Sequence, residues 1–321
     1  MVGSGTAPHL GRPAFDPYRF RSGPRRKPYN VGYLPETARF KPRAMTGSLV
    51  QNIHHYCIGL SYLCAFLLET GRLLWPAAGW RLTGLAFGAA GLFAHSAYLL
   101  VNQPSPAVPF GSVLLLAWVL ALFYFYGTVH HAKQAWAVFV LPVVIGLVAA
   151  SRVLLTVEPE YAAVDLAQWT SGERFWGGVH GVLILCASVG VSVSFLASVM
   201  YLIQSRRLRN KVSPRAVVPM LSLERLEHMN RRAINIAFPM LTVGLLVGTL
   251  LLESTHALGE NWFSVKVLSS AGLWVLFLVL LYLRYAVHLP ARRLALFSIA
   301  AFALLLVALG AAHPFAIGGG K

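Results

Sequence analysis

The stretch FWGGVHGVLILCASVGVSVSFLASVMYLIQSRRLRNK, residues Phe175–Lys211, decides the fold. From Phe175 to Ser205 it contains no Asp, Glu, Lys or Arg. A bilayer core takes about 20 apolar residues of helix to cross. Within lipid a single segment can satisfy its backbone hydrogen bonds only as a helix. The run ends in Arg206, Arg207, Arg209 and Lys211, a basic cluster of the kind that stays on the cytoplasmic side. One histidine, His180, stands where the helix enters lipid. An ionisable group there is costly and asks for a role.

The rest of the chain follows the same pattern. Of 321 residues, 57% are hydrophobic and 12% charged, with mean hydropathy +0.63. Soluble domains carry about 25% charge. Eight apolar spans are expected, at about 49–71, 82–101, 110–127, 134–155, 177–203, 233–253, 265–287 and 292–312. The predicted fold is therefore all-α: a polytopic integral membrane helix bundle of about eight transmembrane helices. Pro142 and Pro239 fall inside the fourth and sixth spans, where a kink is expected. Cys57, Cys64 and Cys186 form no C-x-x-C pair and read as small buried apolar residues. No phosphate-binding glycine loop and no nucleophile elbow is present.

The formal net charge of +16 would suggest nucleic acid in a soluble protein. Here its distribution reads as topology, and no nucleic-acid partner is implied. The 204–232 loop carries eight Lys and Arg and is expected in the cytoplasm. The 156–175 loop carries Glu158, Glu160, Asp165 and Glu173 against Arg174 and is expected outside. Arg72, Arg81, Lys133, Arg292 and Arg293 then fall inside, and the C-terminus outside. The chain reads as a multi-pass protein of a bacterial cytoplasmic membrane.

Residues 1–44 stand apart from the domain at 45–321. They are rich in Pro, Gly and Arg, with nine Lys and Arg against Asp16 and Glu36, and are expected to be disordered. An external N-terminus conflicts with that charge. Two explanations fit equally well: long tails weigh less in the topology rule, or the natural start is Met45.

Ten histidines lie beyond His9. The adjacent pairs His54/His55 and His130/His131 point about 100° apart on a helix, so neither pair grips one metal well. His228 sits in LERLEHMNRR, which reads as a short amphipathic surface helix. His256 and His288 read as solvated. His95 lies inside the second span. His180 and His313 fall at the same outer membrane level. Two neutral imidazoles across an apolar cleft suit axial ligation of haem iron. Two surface-level histidines also arise by chance, and both readings stand at this point.

The order of local patterns adds a resemblance. GLFAHSAYLLVNQPSPAVPFG, the Phe175–Lys211 stretch, PMLSLERLEHMNRRAINIAFPMLTVGLLVGTLL, FSVKVLSSAGLWVLFLVLLYLR and GAAHPF together resemble the haem-handling cytochrome c assembly family over roughly 50–313. That family includes CcsA-type synthase subunits and smaller HemX-like members. The matching positions are Leu223, Glu224, Phe238, Thr242, Gly244, Gly248, Lys266, Trp274 and Arg284. The resemblance implies haem b as cofactor, held by His180 and His313 as an outer pair of axial ligands, with His95 at the position of a first ligand inside the membrane. The second interior ligand falls on Tyr282, since YLR replaces YLH. Tyrosine can ligate ferric haem, but near a helix end it is also a common interfacial anchor.

The chain departs from the synthases elsewhere. Their tryptophan-rich segment is reduced here to LESTHALGENWFSVK, which keeps only Trp262. The expected function is thus a haem-handling accessory in c-type cytochrome biogenesis rather than a complete synthase. Implied partners are haem, other cytochrome c maturation membrane proteins, apocytochrome c and the bilayer. The alternatives are a HemX-like non-catalytic regulator of haem synthesis and a structural membrane subunit without haem.

Overall fold

The computed structural model describes residues 55–74, 78–104, 108–130, 135–157, 172–211, 220–254 and 264–311, with positions 3 and 106. The tail, Met45, most of the 156–175 loop, and His54, His131, His256 and His313 lie outside the described residues. Residues Met1–Thr46 form a unit of their own, separate from Gly47–Lys321.

Among the described residues of the second unit there are eight helices: α1 His55–Leu74, α2 Ala78–Asn102, α3 Pro109–His130, α4 Trp136–Val157, α5 Gly172–Arg209, α6 Leu223–Ser254, α7 Val265–Tyr285 and α8 Ala291–Gly310. Seven of them, all but α1, are long and apolar enough to cross a membrane. α1 carries the charged pair Glu69 and Arg72, joined at 2.9 Å with Glu69 buried. The chain is a multi-pass helical membrane protein.

Each half closes on itself in the same way. In the first half α1 packs on α2, α3 on α4, α1 on α4 and α2 on α3; in the second, α5 packs on α6, α7 on α8, α5 on α8 and α6 on α7. The halves meet through α3 and α4 against α5, and α3 against α8. The core runs through Leu114, Leu120 and Tyr124 of α3, Val140 and Val144 of α4, Met200 of α5, Leu226 of α6 and Phe277 of α7. α5 and α6 approach closely at Gly190. A methyl at Gly190 would lie 2.7 Å from Ala237 Cβ and 3.0 Å from the Ala233 carbonyl. Only a residue without a side chain lets the helices meet there.

Large apolar residues such as Phe93, Leu100, Leu246, Leu250 and Leu268 face outward. In water this would be an extensive sticky surface; in lipid it is ordinary. The same reversal corrects the cysteine reading. Cys57 and Cys186 are exposed and Cys64 is half-buried, because a membrane bundle turns apolar side chains toward its solvent as well as its core.

The helix boundaries also differ from expectation. α5 runs on to Arg209 and α6 begins at Leu223, so the expected 204–232 loop shortens to 210–222. LERLEHMNRR is not a separate surface helix; it is the start of α6. Leu226, Asn230, Ala233 and Ile234 of this segment are buried while Glu224, Arg225, Glu227, Arg231 and Arg232 are exposed. That pattern packs against the bundle and continues straight into the apolar part of the helix. Pro142 and Pro239 are both held inside helices.

Candidate functional site

His180 is half-buried on the first turns of α5 and its ring lies against α6. Nδ1 is 2.7 Å from the Gly244 carbonyl oxygen. Gly248, one turn further along α6, faces the ring: a methyl there would lie 2.7 Å from Cε1 and 2.9 Å from Nδ1. Lys266, at the start of α7, is close enough to act on the imidazole electrostatically. Phe175 and Trp176, one turn before His180, are exposed and meet edge to face at 5.6 Å.

Of the positions that carried the resemblance, Gly244, Gly248 and Lys266 lie by this ring, and three others join α6 to α7. Thr242 donates to the Phe238 carbonyl at 2.8 Å and accepts from the Trp274 indole N–H at 3.0 Å. Phe238 and Trp274 stack at 6.0 Å. So α6 uses two opposite faces: Phe238 and Thr242 tie it to α7, and Gly244 with Gly248 receive His180 from α5.

His95 occupies a different place. It is fully buried on α2 in the first half. Its Nδ1 lies 3.4 Å from the Tyr62 hydroxyl of α1, and the two rings meet edge-on at 6.1 Å. Gly91, one turn away, gives room to the Tyr62 ring, which a methyl would meet at 2.9 Å. His55, at the start of α1, packs edge-on against Tyr98 at 4.5 Å. Tyr282 is not brought to His95; it is 63% exposed on α7, as an interfacial anchor would be. His130 stacks on Tyr126 at 4.0 Å near the end of α3. His288 is exposed, in a positive-φ turn between α7 and α8. Among the described residues there is no group of three or more His, Cys, Asp or Glu able to hold a bare metal ion.

A further polar cluster was not legible in the sequence. Asn230 of α6 is buried and its Nδ2 reaches Ser194 and Ser198 of α5 and Ser298 of α8. Its Oδ1 accepts from Arg284 of α7 at 2.9 Å. One amide thus ties all four helices of the second half together, below the His180 site. Arg284 is largely buried, and its Nη1 has no hydrogen-bond partner.

The family of cytochrome C assembly proteins matches residues 108–311, more than half of the chain. The chain belongs to the cytochrome c assembly protein family. The matched region takes in His180, the α6 glycines, Trp274 and Arg284, while His95 and His313 lie beyond its ends. Protein HemX of Bacillus subtilis (strain 168) is 28% identical over 133 residues, which cover 40% of this chain. The match spans 46% of that relative, less than half of its length. No solved structure matches the chain.

Proposed function

We propose that this family member binds haem b at the outer membrane face, with His180 and His313 as axial ligands, and assists c-type cytochrome maturation as an accessory rather than as a synthase. The observation that carries the reading is the pairing of His180 Nδ1 with the Gly244 carbonyl. A haem-ligating histidine commonly gives its second ring nitrogen to a carbonyl, which fixes the ring and raises its basicity. Lys266 would place positive charge near the macrocycle's carboxylates, and Trp176 an aromatic face beside it. When bound, haem supplies the iron centre and the cargo; this chain's residues orient it and shield it from water. His95 would serve as an interior ligand on the family pattern. Its enclosure by Tyr62 means that a macrocycle reaches it only if α1 and α2 separate.

The test is an absorption spectrum of the detergent-purified protein. A bis-histidine site gives a low-spin spectrum with sharp bands on reduction. His180→Ala and His313→Ala should each abolish or weaken it, and His288→Ala should leave it unchanged. A wild-type protein that neither purifies with haem nor takes it up would overturn the reading in favour of a haem-free structural subunit.

A second reading is a regulator of haem synthesis acting through the cytoplasmic side. It is favoured by the match to Protein HemX and by the single tryptophan kept in LESTHALGENWFSVK. Capture of a cytoplasmic enzyme of haem synthesis by the 210–222 loop and the α6 start would support it; unaltered haem synthesis in cells lacking the protein would exclude it.

A further inference from the structure

The glycines of α6 invite a reading as a helix-packing motif, since small residues let helices approach closely. The contacts at the two positions are not alike. At Gly244 an added methyl meets the Ile184 Cδ1 at 2.9 Å, the free end of a flexible side chain. At Gly248 it meets the His180 ring itself, at 2.7 Å from Cε1 and 2.9 Å from Nδ1. Turning the Ile184 rotamer relieves the shortest of the first contacts and leaves the milder approach of Leu183 Cβ at 3.3 Å. The second is relieved only by moving the imidazole.

The backbone of the same turn also sets the ring's proton. A carbonyl oxygen can only accept, so the 2.7 Å contact from Nδ1 to Gly244 requires the hydrogen on Nδ1. In a neutral imidazole the lone pair then sits on Nε2. Gly244 contributes through its carbonyl, and Gly248 through the side chain it lacks.

We infer that Gly244 and Gly248 are positioning residues for His180: together they hold its ring against α6 in the Nδ1–H form and so make Nε2 the nitrogen that a metal centre would meet. This rests on the reading of His180 as a haem ligand. Its first consequence, the tautomer, belongs to the haem-free protein and is measurable there. Glycine at 248 is thereby explained without a turn or positive φ: the space a side chain would fill is taken by the histidine.

The experiment has a haem-free arm and a haem arm. Histidine side chains are labelled with nitrogen-15 in the haem-free protein, and the His180 signals are identified by their loss in His180→Gln. Nitrogen shifts distinguish the two neutral tautomers. The wild type should show His180 with its proton on Nδ1. Gly244→Ala should keep that pattern, and Gly248→Ala should lose it. In the haem arm, Gly248→Ala should weaken haem binding by about 10- to 100-fold, the usual effect of removing an outer-shell partner of a metal ligand. Gly244→Ala should change it by less than about threefold on the same scale.

A wild-type His180 carrying its proton on Nε2 would overturn the inference outright, even if Gly248→Ala fails to fold. Equal effects of the two glycine variants on the His180 signals would also overturn it. A wild type with the expected tautomer and no haem affinity leaves the positioning intact and sinks the haem reading instead.

Discussion

Asn230→Ala should be among the most damaging single changes in the second half of the protein. Asn230 is 5% exposed, and four oxygens lie 2.8–3.1 Å from its Nδ2: the Ser194 carbonyl and the hydroxyls of Ser194, Ser198 and Ser298. An amide nitrogen carries two hydrogens, so two of these contacts count at once. Each neutral bond contributes about 1 kcal/mol, and the bond accepted from the Arg284 guanidinium about 1.5–3 kcal/mol. The sum is a loss of about 3.5–5 kcal/mol. Most of it arises because Arg284, largely buried, loses the acceptor at 2.9 Å while its Nη1 already has none. Arg284→Met should cost less, because it removes the buried charge together with the bond. Combining it with Asn230→Ala should therefore cost less than the sum of the two, with a coupling of about 1.5–3 kcal/mol. Equilibrium SDS titration in mixed micelles, followed by far-UV circular dichroism, gives all three values. A loss below about 1 kcal/mol for Asn230→Ala, or strict additivity in the cycle, would refute the reasoning.

Tyr124→Phe should be neutral or stabilising by about 1 kcal/mol in the same titration, since the Tyr124 hydroxyl is buried with no hydrogen-bond partner; a clear destabilisation would reveal a bond that the fold does not show. Gly190→Ala should cost about 1–3 kcal/mol through overpacking of α5 on α6, because the new methyl meets Ala237 Cβ and a backbone carbonyl rather than a flexible side-chain end. For topology, Asn210→Cys should resist an impermeant thiol reagent in intact cells while Ala163→Cys reacts. The native cysteines are replaced by serine first because Cys57 and Cys186 are exposed, and the reverse labelling pattern would turn the protein over in the membrane.

The spans were legible because lipid imposes a one-dimensional rule: an apolar run of sufficient length must be a helix. That rule says where a helix lies in the chain and nothing about which face meets which neighbour. It therefore found α5 but not its end, since Ser205–Arg209 is helical beyond the apolar stretch. It missed that LERLEHMNRR belongs to α6, because charge in a window hides the buried line Leu226, Asn230, Ala233, Ile234. It misread the cysteines by assuming that apolar means interior. The Asn230 cluster escaped for a related reason. A lone Asn beside two arginines looks like loop, and its partners come from α5, α7 and α8, far away in sequence. His180 was singled out by the cost of its position, but its partner was not foreseeable. The acceptor is a backbone carbonyl, to which every residue type contributes alike.

Under the accessory reading proposed above, the site explains how this scaffold would be kept without the tryptophan-rich segment of the synthases. Phe238, Thr242, Gly244, Gly248 and Trp274 matched the family as scattered letters, yet in space they do one job: α6 is tied to α7 on one side and carries His180 on the other. None of these contacts passes through the LESTHALGENWFSVK segment, whose tryptophans are reduced to Trp262. Under the proposed haem-holding reading, the packing that would retain cargo lies mainly on α6 and α7, with Lys266 at the end of that segment beside it. The Nδ1 contact of His180 and the space that its ring fills are both supplied by α6. On that reading, a member that holds haem without synthase activity would need no new fold. It would need only that Gly248 stay a glycine and that the Gly244 carbonyl stay in place.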